Sequence, residues 1–299
     1  PFDLTDVYIS WDVLEEASSA DTNTKQIQVI LVATKKDVIN SRLNVLQEAK
    51  VQCSVFDIDS IATFNAINES GLTKPNESLA IFDIGYASSS IHFARDGRSV
   101  FIRDLVWGAK DILDSISREK ECDLRQAEKI FIDSTQEILS KPEAPVAEAE
   151  AIEEHETGEE EVAIPEEVIA SIEKPQRIDE EDMYEFSSHR YDMREKSIRE
   201  ILLSPLNKMI AEIRRSFDYY EHQLYEKPVE RIILCGGASC YPLIGETLVQ
   251  ELNVDTVEVA DFLNDKFEFS NSQSTKLFKE HSAKFTVALG LVIRGLEEI

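Results

Sequence analysis

No apolar run in this chain of 299 residues approaches the roughly 20 that a bilayer-spanning helix needs. No secretory leader is visible either. Cysteine is scarce. Cys53, Cys122, Cys235 and Cys240 form no C-x-x-C and stand at no zinc spacing from a histidine. That excludes a disulfide scaffold and a zinc module, and reads as free thiols in a reducing cytoplasm. The five histidines (His92, His155, His189, His222, His281) show no ligand-like pairing. Positive charge is short: 31 Lys and Arg stand against 58 Asp and Glu, for a net charge of −27. Nucleic acid is thereby excluded as a partner, because its phosphates would be repelled, and direct docking on anionic lipid is disfavoured.

What is present suffices for a folded core. Apolar residues make up 42% of the chain, and its length fits one large domain or two to three smaller ones. The acidic excess is not spread evenly. Residues 141–182 hold 16 acidic and 3 basic side chains, a balance of −13, with Pro142, Pro145, Pro165 and Pro175 and no aromatic. Such a stretch buries too little apolar surface to fold alone, so a disordered acidic insertion is expected over 141–190. A recognition tail for a basic partner is the alternative.

The densest pattern lies at 79–104. Leu79 to Phe82 reads as a buried strand, followed by Asp83-Ile84-Gly85 and small hydroxylated residues. A second strand covers Ser90 to Ala94, Asp96-Gly97 signals a tight turn, and a third strand runs through Val100, Phe101 and Ile102. In the first turn, Gly85 permits close backbone approach. The amides of Ala87 to Ser90 and the hydroxyls of Ser88, Ser89 and Ser90 are donors suited to phosphate oxygens. Asp83 suits a hydrated Mg²⁺ beside them. Alone, the short D-x-G pattern fits an ordinary hairpin equally well.

A second glycine turn comes about 150 residues later. Arg231 to Cys235 reads as a buried strand, then come Gly236-Gly237-Ala238-Ser239 and a helix from near Leu243. Strand, small turn and helix start suit an anion or nucleotide. The lysine of a P-loop and the full dinucleotide fingerprint are both missing.

Before the meander, Val7, Ile9, Trp11 and Val13 alternate as a strand and Ile27 to Ala33 forms another. Thr34 is placed to cap a helix carrying Val38, Ile39, Leu43, Leu46 and Ala49, and Val51, Cys53, Val55 and Ile58 predict a further strand. Asp57 and Asp59, at its end, read as solvated strand-end residues, with functional carboxylates as the alternative. After the meander come helices through Ile112, Leu113 and Ile116 and from Asp123, with Trp107 as a core or subdomain-interface residue. Another helix is expected near Tyr191, restarting at Ser204-Pro205. On it Glu212 and Arg215 suit an i,i+3 ion pair. In the closing helix, Gly290 would allow close backbone packing.

In this order the pieces resemble the actin-like ATPases, among them actin, heat-shock chaperone ATPases, sugar kinases and the division protein FtsA. The closest resemblance is to the PilM family of type IV pilus assembly proteins. It rests on Glu212-Ile-Arg-Arg-Ser-Phe-Asp-Tyr-Tyr220, Arg231-Ile-Ile-Leu-Cys-Gly-Gly-Ala238 and Phe285-Thr-Val-Ala-Leu-Gly-Leu-Val-Ile-Arg-Gly295. The resemblance implies an α/β, ribonuclease H-like fold. Residues 1–60 would form the small subdomain inserted in lobe I, and 61–78 a lobe I helix and connection. Residues 79–104 would form the lobe II meander, 105–140 and 191–226 its lid helices, and 227–299 its core with the adenosine motif. Asp83, Gly85, Ser88 and Ser89 would serve the phosphates, with Asp83 at the metal. Gly236, Gly237 and Ala238 would face ribose and α-phosphate, and Glu212 and Arg215 the adenine side. The family's first phosphate motif is not in these residues and is expected upstream of Pro1.

The resemblance further implies ATP and Mg²⁺ as ligands and at most a weak Mg²⁺-dependent ATPase, since no general base is evident. The implied partner is a short cytoplasmic peptide of an inner-membrane pilus protein, PilN-like. Localisation would be cytoplasmic, at the inner membrane through that partner. An FtsA-like division protein and a nucleotide-free scaffold are the alternatives.

Overall fold

The computed structural model describes residues 3–17, 26–140, 196–262 and 272–297. The expected acidic insertion, the helix start near Tyr191, His155 and His189 lie outside the described residues. Strands β1 (Val7–Ala17) and β2 (Gln26–Lys35) form an antiparallel ribbon followed by helix α1 (Lys36–Glu48). Helix α2 (Asp59–Glu69) leads to the meander β3 (Ser78–Ile84), β4 (Ser89–Arg95) and β5 (Arg98–Leu105). Helices α3 (Ala109–Glu119), α4 (Leu124–Ser140) and α5 (Ile198–Asp218) follow. Then come β6 (Arg231–Gly236), α6 (Pro242–Leu252), β7 (Thr256–Val259), α7 (Ser272–His281) and α8 (Thr286–Glu297).

The main sheet has the order β5-β4-β3-β6-β7. β3 and β4 are antiparallel, as are β4 and β5, whereas β6 lies parallel to both β3 and β7. Period-two alternation divides β3 and β6 between two cores. Ala80, Phe82, Ile84, Ile232 and Leu234 face α3, α5 and α6. Leu79, Ile81, Ile233 and Cys235 face α2 and the segment leading into α8. On that second side Gly290 is indispensable to the packing. A Cβ there would lie 1.8 Å from the Ala62 carbonyl oxygen, so α8 crosses α2 in backbone contact.

Three local expectations change. Residues 51–58 form no strand, although Val51, Cys53 and Val55 alternate. Thr34 stays in β2 opposite Tyr8, and α1 begins at Lys36 with no side-chain cap. α5 does not restart at Ser204-Pro205. A capping box at Ser197, in which the Glu200 carboxylate accepts from the Ser197 amide at 2.7 Å, starts it earlier. Pro205 is then buried inside the helix, and its carbonyl accepts the Trp107 indole N–H at 2.8 Å. Trp107 is fully buried in the core.

Candidate functional site

The parallel register of β3 and β6 brings the two glycine turns together. Asp83 pairs with Cys235 and Ile84 with Gly236, so both turns leave the sheet at the carboxyl ends of adjacent parallel strands. In open α/β sheets that is where ligands bind. Gly236 has φ +87°, and a Cβ there would meet the Ile84 carbonyl oxygen at 2.4 Å and Asp83 Oδ1 at 2.5 Å. Only glycine satisfies both conditions. In front of Gly237 there is open space, and Ala238 is buried.

Asp83 points to the α2 side of the sheet. Its carboxyl is held above the usual carboxylate range, first by burial and then by the neighbouring Asp59 carboxylate, with the Thr63 hydroxyl opposing. It lines a cleft of about 1010 Å³. One wall is the Gly85–Ser90 turn with part of β5. The other is β2 with α1, and Asp57, Asp59 and Ser60 lie between them. Ser88, Ser89 and Ser90 all border the cleft. The Ser89 hydroxyl, however, is buried and donates to the Trp107 carbonyl at 2.8 Å. In this geometry it shapes the turn, and Ser88 and Ser90 are left to face a ligand.

Sequence reasoning missed part of the site. Asp104 is brought into line with Asp83 and Ser90, because Ser90 pairs with both across the meander. Asp57 and Asp59, which the sequence offered as functional carboxylates only in second place, line the cleft as well. Four carboxylates thus face one basic lining side chain, Arg42, among the described residues. Among the described residues no group of three or more His, Cys, Asp or Glu is close enough to hold a metal ion alone.

Glu212 and Arg215 are not brought to the cleft. Their helix packs on the opposite sheet face from the Asp83 side chain. Arg215 Nη1 donates to Glu212 Oε1 at 2.7 Å, and Arg103 of β5 lies 3.7 Å from the same carboxylate. They form the surface ion pair that their spacing allows.

This sheet order, with paired glycine turns at one end of its central parallel strands, fits the actin-like fold that the sequence resemblance implies. A family described as "Type IV pilus assembly protein PilM" matches residues 1–138 and 182–296, passing over most of the acidic stretch. The chain belongs to the PilM family of type IV pilus assembly proteins. A solved PilM–PilN type IV pilus biogenesis complex superposes with a TM-score of 0.66 at 20% identity, over 99% of this chain and 68% of that one. Fainter likenesses reach the ethanolamine utilization protein EutJ of Carboxydothermus hydrogenoformans (TM-score 0.48, 13% identity, 86% of this chain and 61% of that one). MreB 5 of Spiroplasma citri bound to AMPPNP is similar at a TM-score of 0.47 and 14% identity, over 89% and 66%. Among the described residues no helix is long and apolar enough to cross a membrane.

Proposed function

We propose that this PilM-family chain is a cytoplasmic protein that binds Mg²⁺–ATP at the Asp83 turn. We propose too that it holds a short cytoplasmic peptide of a PilN-like inner-membrane partner. The observation that carries the nucleotide reading is the contact between the turns: Gly236 lies where any Cβ would strike Asp83 Oδ1. The residues fit the ligand. Ser88, Ser90 and the turn amides offer donors to phosphate, and no atom crowds the front of Gly237. Four lining carboxylates would repel a bare polyphosphate, so entry requires a divalent cation. Asp83 would hold that cation through its waters, and the ion would neutralise phosphate charge. The peptide reading is supported by family membership and by Ile30, Val32, Val38 and Ile39, which give the β2–α1 wall an apolar character.

A fluorescent ATP analogue with Mg²⁺, titrated into the full natural protein and into an Asp83→Ala variant, tests the nucleotide reading. Saturable binding that is lost with EDTA and in Asp83→Ala is the expected result. No binding by the unaltered protein leaves a nucleotide-free scaffold, a reading that the acidity of the cleft favours.

A further inference from the structure

We infer that Gly108 is a positioning residue for the Asp83 turn: only a residue without a Cβ lets the start of α3 seat beneath that turn and fix its carbonyls. The inference rests on the nucleotide reading above for its ligand, but not for its geometry. Gly108 is the N-cap of α3, with extended backbone at φ −164°, a conformation open to any residue. The requirement is therefore space. A Cβ at Gly108 would lie 2.5 Å from the Tyr86 carbonyl oxygen and 2.8 Å from both the Gly85 carbonyl oxygen and the Tyr86 carbonyl carbon. All three are backbone atoms, so no side-chain rotation relieves the clash.

The close seating permits three hydrogen bonds. The Ala109 amide donates to the Gly85 carbonyl at 3.0 Å, and the Lys110 amide to the Tyr86 carbonyl at 2.8 Å. The Ser89 hydroxyl donates to the Trp107 carbonyl at 2.8 Å. In a planar trans peptide the N–H points opposite to the C=O. Tying the Gly85 and Tyr86 carbonyls to α3 therefore turns the N–H groups of Tyr86 and Ala87 away from the helix. Both residues line the cleft. Two amide donors are thus oriented before any phosphate arrives, which removes an ordering cost from binding.

The support is itself anchored. Asp111 Oδ2 accepts from the Gly108 amide at 3.1 Å, and Asp111 Oδ1 accepts from Lys208 of α5 at 2.7 Å. The Trp107 indole is bonded to Pro205 of the same helix. The turn consequently rests on α3, and α3 on α5.

The test uses the full natural protein with Gly108→Ala and Ser89→Ala, each read in two ways. Hydrogen exchange without nucleotide should show the amides of Ala109 and Lys110, which are bonded to the turn, exchanging about tenfold faster or more in Gly108→Ala, with those of β6 unchanged. The Kd for Mg²⁺–ATP should rise about tenfold or more, as expected when binding groups are misplaced by a fraction of an ångström. Ser89→Ala should move both in the same direction by less. Unaltered exchange and affinity in Gly108→Ala would overturn the inference. Should Gly108→Ala unfold as a whole, Ser89→Ala decides: selective loosening of these two amides upholds the inference, and unchanged exchange there overturns it. If the unaltered protein binds no Mg²⁺–ATP, the nucleotide reading fails, while the exchange comparison still judges the role of Gly108.

Discussion

Asp83 is kept in a place that disfavours its own charge. Burial and Asp59 raise its carboxyl pKa in the folded chain above the unfolded value. Between those two values the folded state binds more protons than the unfolded one, so Asp83 makes stability fall as pH rises through that window. At neutral pH the ionised side chain is a liability until a cation offsets it. Asp83→Asn keeps the shape and removes the charge. It is expected to raise the midpoint of thermal unfolding, by on the order of 2 °C, while abolishing Mg²⁺-dependent nucleotide binding. A lowered midpoint in differential scanning fluorimetry would refute this account of the site.

His92 behaves in the opposite sense. It is buried, stacked on Phe64 with centroids 4.8 Å apart, and fixed at both ring nitrogens. Nδ1 lies 3.0 Å from the Ser60 carbonyl, which can only accept, so Nδ1 carries the proton. Nε2, 2.8 Å from Ser99 Oγ, then accepts from that hydroxyl. Burial pushes the pKa down to about 4, against the smaller opposing effect of the Ser60 bond. A depressed folded pKa contributes stability that is whole above pH 6.5 and is lost progressively as pH falls toward 4, by about 3 kcal/mol in all. Urea unfolding at pH 7 and pH 4.5 should show that loss in the native chain and a flatter dependence in His92→Gln. Equal slopes in the two would remove His92 from the explanation.

At the scale of elements, a buried ion pair ties the starts of β3 and β6 together. Arg231 opens β6 and is almost fully buried, as is Glu77 just before β3. Two guanidinium nitrogens reach the Glu77 carboxylate at 2.5 and 2.7 Å, a third bonds Glu258 of β7, and Leu72 accepts at 2.6 Å. Burial, the largest single effect, would raise the Glu77 pKa, but Arg231 together with the Lys74 amide and charge outweighs it and holds the carboxyl below its usual range. Arg231→Leu would strand a buried carboxylate, at a cost of about 3–5 kcal/mol. Chemical denaturation checks this, and the double variant Arg231→Leu/Glu77→Leu should recover much of the loss.

Much of this layout was legible in the chain, and the failures have physical causes. Apolar runs flanked by Asp-Gly and Gly-Gly located β3, β5 and β6, and Gly290 marked the helix crossing. The strand expected at 51–58 failed because alternation promises a pleat but supplies no partner edge. Asp104 stayed hidden for a reason of register. Counting back from the Asp96-Gly97 turn sets Arg103 opposite Ser90. A bulge in β5 pairs Phe93 with Phe101 and Ala94 with Ser99, which leaves Val100 as the extra residue and moves Asp104 into line with Asp83. One inserted residue reverses the facing of every side chain beyond it, and composition does not announce it. Gly108 escaped because the need for its missing Cβ comes from a turn some twenty residues away.

At the scale of the whole molecule, the two walls of the cleft differ in how firmly they are built. The main sheet is filled on both faces by fully buried residues such as Phe82, Ile81, Ile233 and Trp107. The ribbon and α1 have almost nothing comparable: α1 buries no residue, and Val7 is the one buried side chain described in β1 and β2. The ribbon leaves apolar side chains exposed, with Trp11 69% and Leu31 62% exposed directly opposite each other. Elements with few buried contacts open at low free energy, independently of the core. Hydrogen exchange of the full natural protein should therefore find the amides of β2 and α1 exchanging about a hundredfold faster or more than those of β3 and β6. Ligands that bridge the cleft should protect the loose wall most, because binding to a closed form draws its population from the open one. Mg²⁺–ATP, or a peptide gripped by Ile30, Val32 and Ile39, should accordingly slow exchange in β2 and α1 while leaving β3 and β6 nearly unchanged. If β2 and α1 already exchange as slowly as the central strands, the wall is rigid and ligands must enter a preformed cleft.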